Sequence, residues 1–220
     1  MTPRHVFEQE LADLRISLEK MSKYVENSLL RLRTALENDD KMSTKQIVKD
    51  DKNINDMERN IEAKCLALIT KQHPIASDLR LVSSVLKVVT DIERIGDHVA
   101  DIALLSLRYD DVKFYDISGH IMPMIQAAGE MVVESVDSFI KRDSKNAEAV
   151  IDKDDIVDEL FNKVKYDVIE KLKLGSEDID QCIDVLMIAK YLERIGDHAT
   201  NIAEWEVFKE TGTIDNVRLL

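Results

Sequence analysis

Cysteine, aromatic residues, glycine and proline are all scarce in this chain, and each shortage removes a class of structure. Only Cys65 and Cys182 occur in 220 residues. Each sits inside an apolar helical pattern, so a disulfide framework or thiolate zinc site is not expected, and both read as small core residues. Aromatics make up 5% of the chain, with 6 Gly and 3 Pro, and no strand signal competes with the Leu, Ile, Val, Ala, Glu, Asp and Lys that dominate it. That balance is helical. Basic charge is also in deficit. The net charge of −13 argues against nucleic acid, which needs a basic stripe, and suits cations. No run approaches the roughly 20 apolar residues that span a bilayer, and no basic patch followed by an apolar stretch opens the chain. A soluble, cytoplasmic protein is therefore expected.

What is present is a repeat. Glu-Arg-Ile-Gly-Asp-His occurs at Glu93–His98 and again at Glu193–His198, 100 positions later. The 45% apolar content can fill one large core or two small ones, and duplication favours two. Apolar residues at spacings of three and four predict a helix from Phe7 to about Leu36, a second to about Thr70, ending before Pro74, and a third opening at Ser77 or Asp78. The change of pattern over Arg108–Asp116 places the boundary between repeats. Three more helices follow: Met122–Ile140, about Lys145–Leu172, and about Ser176–Lys209, with Gly175 as a stop and Ser176 as a cap. Asp78, Val85 and Leu86 align with Asp178, Val185 and Leu186 at an offset of 100, whereas Asp51, Ile54 and Met57 align with Asp154, Val157 and Leu160 at 103. The expected fold is all-α, two tandem three-helix bundles over residues 1–110 and 111–220.

The chemistry lies at the edge of the apolar stripes. On the third helix, Glu93, Asp97 and Asp101 step around the axis by roughly 40° each. In the second copy Glu193, Asp197 and Asn201 do the same, with a neutral amide at the third rung. On the preceding helices Asp51 with Asn55, and Asp154 with Asp158, repeat the four-residue spacing. Like charges at that spacing cost a few tenths of a kcal/mol, and a helix-interior Gly costs about 1 kcal/mol relative to Ala. The hexapeptide accepts both. Gly96 and Gly196 lie on the apolar stripe, where a missing side chain lets a neighbouring helix come close and brings facing carboxylates within bridging range.

Oxygen donors without thiolates select iron, manganese, magnesium or calcium, and carboxylates also bind zinc. The plain alternative is a solvated acidic face, which a chain with 33% charged residues produces often. Arg94 and Arg194 can reach the Asp three residues on, either supporting a ligand or forming a surface salt bridge. His98 and His198 project about 140° from Glu93 and Glu193, so helix packing or a surface role suits them better than ligation. His73, beside Pro74, reads as a turn residue.

Three stretches carry a family resemblance: the opening Arg4-His5-Val6-Phe7 with Glu10-Leu11, the turn from His73 through Pro74 and Asp78 to Arg80, and both hexapeptides. The chain resembles the PhoU family, phosphate-specific transport accessory and regulatory proteins of bacteria. The resemblance implies two similar three-helix bundles and multinuclear iron or zinc clusters held by Glu/Asp-x-x-x-Asp motifs. Glu93 with Asp97, Glu193 with Asp197, and Asp154 with Asp158 match that motif. Asp51 with Asn55 and Asp197 with Asn201 depart from it, and there an amide oxygen would bind more weakly. The implied role is a non-enzymatic adaptor that restrains a phosphate ABC importer, through its ATPase subunit, and holds a phosphate-sensing histidine kinase inactive when phosphate is plentiful. A homodimer, associating with the membrane only through partners, is expected. A rival class, the carboxylate-bridged di-iron oxidase or oxygen carrier, uses Glu-x-x-His. Here Gly96 and Gly196 occupy the His position.

Overall fold

The computed structural model describes residues 3–74, 77–108, 114–175, 179–214 and 217–218. Helices α1 (Pro3–Asn38), α2 (Lys41–Gln72) and α3 (Ser77–Ser106) form the first unit. After a one-turn helix α4 (Phe114–Ile117), α5 (Ile121–Lys141), α6 (Ser144–Asp152), α7 (Asp154–Lys173) and α8 (Ile179–Thr211) form the second. Strands β1 (Thr213–Ile214) and β2 (Val217–Arg218) pair antiparallel after α8, a short hairpin that the helical periodicity does not announce. The expected Ser176 cap lies outside the described residues.

Local chemistry sets the helix ends. Asp40 accepts from the Met42 and Ser43 amides and starts α2; Asp143 accepts from Asn146 and starts α6, each satisfying donors the first turn leaves open. The residues just before these caps, Asp39 (φ 52°) and Arg142 (φ 60°), are left-handed. They are equivalent under the 103-residue offset, so the turn was duplicated with the helices. His73 closes α2 in the same conformation, its amide donating to Ile69, and Pro74 prevents continuation. Gly175, at φ 78°, ends the α7 segment.

One helix expected over Lys145–Leu172 is two. The chain breaks at Lys153, whose amide bonds to Val150, and α7 opens on Asp154 and Asp155. The buried stripe Val150, Val157, Val164 keeps its seven-residue spacing across the break, which is why periodicity does not reveal it.

Within each unit the helices pack on one another, and between units α3 packs on α8 and α1 on α5. These are equivalent elements meeting, as across a twofold axis. The buried residues form one continuous cluster from Phe7 to Ala203 rather than the two small cores expected from duplication. The cause is α3 and α8, which are apolar on more than one side. Val82, Val88, Val89, Ile92, Ile95 and Ile102 of α3 are each no more than 1% exposed, so the stripe facing its own unit continues into a stripe facing the other.

Candidate metal centre

Gly96 and Gly196 decide how close the helices come. A methyl group at Gly96 would lie 2.7 Å from Ile54 Cδ1 and 3.1 Å from Ile54 Cγ2 on α2. At Gly196 it would lie 3.2 Å from Asp154 Oδ1 and 3.4 Å from Val157 Cγ1 on α7. Ile54 and Val157 are repeat equivalents, so both glycines accept the same neighbour and place the acidic edge of one helix against that of the next. Each unit thereby acquires a groove walled by carboxylates.

The first groove gathers Asp51 and Asn55 from α2 with Glu93, Asp97 and Asp101 from α3. Burial, then the charges of Asp97 and Glu58, pushes Glu93 up to about 7. Burial and Asp97 likewise raise Asp51 and Asp101. Asn55 Nδ2 donates to Asp51 Oδ2 at 3.3 Å. Three oxygens, Asp51 Oδ1, Asn55 Oδ1 and Glu93 Oε2, remain buried without a hydrogen-bond partner. Arg94 hydrogen-bonds Asp97 at 3.0 Å and stands 3.6 Å from Glu93, as the three-residue spacing predicts.

Glu58 is a groove residue that the sequence pattern passes over. It lies seven residues after Asp51 on the same face of α2, is raised by burial and by Glu62, and is charge-coupled to Asp97. The spacing is visible, but the repeat hides it, because its equivalent in the second unit is Phe161.

The second groove gathers Asp154 and Asp158 from α7 with Glu193 and Asp197 from α8. Burial, then Asp197 and Asp158, pushes Asp154 up to about 6; burial and Glu193 raise Asp197. This groove also holds a cation: Lys190 pairs with Glu193 and lies 5.6 Å from the Phe161 ring centre. Its equivalent in the first unit is the neutral Thr90. Asn201, expected as the third rung, donates through Nδ2 to Asp91 Oδ1 of α3 at 3.2 Å, a bond that engages its amide nitrogen and not its oxygen.

The histidines lie where α3 meets α8. His98 is buried and stacks on Tyr191 with ring centres 5.4 Å apart. It meets its own repeat equivalent, His198, at 5.6 Å. Burial, with the charges of His198, Arg194 and Arg94, pulls His98 down to about 4. His198 instead bonds Asp91 through Nδ1 at 2.9 Å. Their role is packing between the units, in line with their 140° displacement from the carboxylates expected of an α-helix.

The donor set fits a hard cation in three respects: every donor is oxygen, the carboxylates raise one another's proton affinity, and three buried oxygens lack hydrogen-bond partners. Among the described residues no group of three or more His, Cys, Asp or Glu converges on one point. The donors line each groove in series.

The PhoU domain family matches this chain twice, over residues 18–105 and 121–205. The chain belongs to the PhoU family. A PhoU homologue from Clostridium acetobutylicum, named a phosphate-specific transport system accessory protein, is 35% identical over 95% of this chain and 96% of its own. The homologue from Borreliella burgdorferi is 32% identical over 88% of each chain. The PhoU crystal structure from Pseudomonas aeruginosa superposes with a TM-score of 0.87 at 32% identity, covering 94% of this chain and all (100%) of that one. The phosphate transport system regulatory protein PhoU from Streptococcus pneumoniae gives a TM-score of 0.86 at 28% identity, covering 96% and 100%. The two PhoU domain matches each contain one groove and one hexapeptide. Among the described residues no helix is long and apolar enough to cross a membrane.

Proposed function

We propose that this PhoU-family chain is a metal-loaded, cytoplasmic regulator of phosphate uptake and of the phosphate-starvation response. It acts as a non-enzymatic adaptor between a phosphate ABC importer and a sensor histidine kinase, repressing the response when phosphate is plentiful. The regulatory half of this reading is supported by family membership and by the accessory-protein names of the relatives. The metal half is carried by one observation: at a glycine-tightened helix contact Asp51 Oδ1 and Asn55 Oδ1 are buried with no hydrogen-bond partner, and beside them Glu93 Oε2 is buried with only the Arg94 guanidinium at 3.6 Å. Such groups are costly unless an external partner satisfies them.

Glu93, Asp97, Asp51 and Asp101 would hold iron or zinc in the first groove, and Asp154, Asp158, Glu193 and Asp197 in the second, as multinuclear clusters. Asn55 would contribute a weaker amide oxygen. The ion would neutralise carboxylates that otherwise repel one another and so stiffen the α2–α3 and α7–α8 contacts. A homodimer is the proposed assembly. The di-iron oxidase reading loses further ground, because the positions that would carry nitrogen donors are filled by contacts from Ile54 and Val157.

Deleting the gene should switch on phosphate-scavenging genes in high phosphate, and unchanged expression would refute the repressor role. Elemental analysis of protein purified without a chelating tag should find iron or zinc bound. Metal-free protein that also fails to take up either ion would refute the metal role while leaving the first result intact.

A further inference from the structure

A pocket of about 400 Å³ opens where α1, α3, α5 and α8 meet, away from either carboxylate groove. Leu11, Leu18, Leu81, Val85 and Phe139 form its apolar wall, and three cations, Arg15, Arg142 and Lys209, line it against the two carboxylates Glu8 and Asp78. In a chain of net charge −13 three cations share one lining, two of them, Lys209 and Arg15, each paired with a carboxylate.

Each cation is placed by something specific. Lys209 is 8% exposed; its Nζ donates to the Phe139 carbonyl at 3.1 Å, lies 4.4 Å from the Phe139 ring centre, and pairs with the fully buried Glu206. An ammonium has three donors, so one remains. Glu206 Oε1 is buried without a partner, which leaves this polar centre incompletely satisfied from within. Arg142 occupies a left-handed position that favours Gly, Asn or Asp, and the duplicated turn has Asp39 there. An Arg thus stands against local backbone preference in the pocket lining. No salt bridge among the described residues engages it, whereas Arg15 pairs with Glu19 at 3.3 Å.

We propose that this pocket binds a small organic anion, with a phosphate or carboxylate head held by Arg142, Arg15 and Lys209 and an apolar or aromatic body lying against the leucines of α1 and α3. A guanidinium presents paired donors that match either head group. The volume falls within the range of small-molecule sites. The proposal does not depend on the metal reading.

Calorimetric titration of the full chain with AMP and, separately, with octanoate distinguishes the two head groups, and inorganic phosphate tests the head alone. At least one of the two amphiphiles should bind saturably, at least tenfold more tightly than inorganic phosphate. Arg142→Asn, which retains a residue suited to the left-handed turn, should weaken that binding at least tenfold; Arg33→Ala, at a residue lining a different cleft between α1 and α5 with Leu30 and Glu130, should leave it unchanged. Absence of saturable binding by both amphiphiles would overturn the proposal. So would equal affinity in Arg142→Asn, or inorganic phosphate binding as tightly as the amphiphile.

Discussion

Glu93 is held where its charge is unwelcome. Burial and Asp97 push it up to about 7 against an ordinary 4.5, so without metal the folded protein binds a proton there that the unfolded chain releases. The stability this lends is full below about 4.5 and is lost as pH rises through about 7. Asp154 acts in the same direction between 3.8 and about 6. His98, held near 4 against 6.5, acts oppositely, and stability falls as pH drops through that window. Metal-free protein should therefore gain thermal stability from pH 7.5 to about 6.5, where Glu93 acts alone, level off between about 6.5 and 6, where His98 opposes it, and gain again below about 6 as Asp154 joins; saturating metal should abolish the gain. Glu93→Gln should stabilise metal-free protein at pH 7.5 by roughly 1 kcal/mol while losing most of the metal-induced rise in Tm. Melting curves with and without chelator check both.

Gly96 presents a different balance. Alanine gains about 1 kcal/mol in helix propensity, but overpacking costs about 1–3 kcal/mol. Ile54, only 2% exposed, has little room to retreat from a methyl 2.7 Å away. Gly96→Ala should be destabilising by about 1 kcal/mol net in urea unfolding. Gly196→Ala should cost less, because Asp154 can swing toward the groove.

At the scale of elements, one tie recurs with its charges exchanged. Arg31 of α1 bonds Asp50 of α2 at 2.7 Å; the equivalent positions in the second unit are Glu134 of α5 and Lys153 at the α6–α7 break, paired at 2.6 Å. Both ties sit next to the first groove carboxylate of their unit, Asp51 or Asp154, and so fix its register. Arg31→Glu or Asp50→Lys alone should cost about 1 kcal/mol each, and the double exchange should recover most of it. A denaturant double-mutant cycle measures the coupling. The grooves differ more deeply: the first has Glu58 and Thr90 where the second has Phe161 and Lys190. Lys190→Thr should therefore raise the number of metal ions bound per chain, read by elemental analysis against the parent protein.

Much of this arrangement is legible in the amino-acid order alone. The glycine contacts, the carboxylate spacing, the stop of α2 before Pro74 and the extent of α5 follow from periodicity and Pro74, because those signals are local. Other features are not. The Lys153 break preserves the buried stripe and leaves no trace in it. Asn201 has the spacing of a ligand, and nothing in that spacing announces its Nδ2 bond to Asp91 on another helix. His98 and His198 can be turned away from the carboxylates on helix geometry, yet their meeting depends on how α3 crosses α8, which no single helix encodes.

Taken whole, the molecule is two related units fused through α3 and α8. Asp91 is the polar centre of that seam, accepting from both His198 and Asn201. Asp91→Leu would leave both without their acceptor and should cost about 2 kcal/mol, visible as a lower unfolding midpoint with the grooves themselves untouched.

The seam has also lost its mirror. His98 faces His198, but beside them Asp91 stands on one side and Tyr191 on the other, so ring stacking opposes a carboxylate where an unmodified duplication would offer like for like. Either half released as a free-standing protein would meet no copy of its proper counterpart by self-association. A dimer of two identical halves would pair Asp91 with Asp91 or Tyr191 with Tyr191, and in neither arrangement would a ring face a carboxylate across the seam.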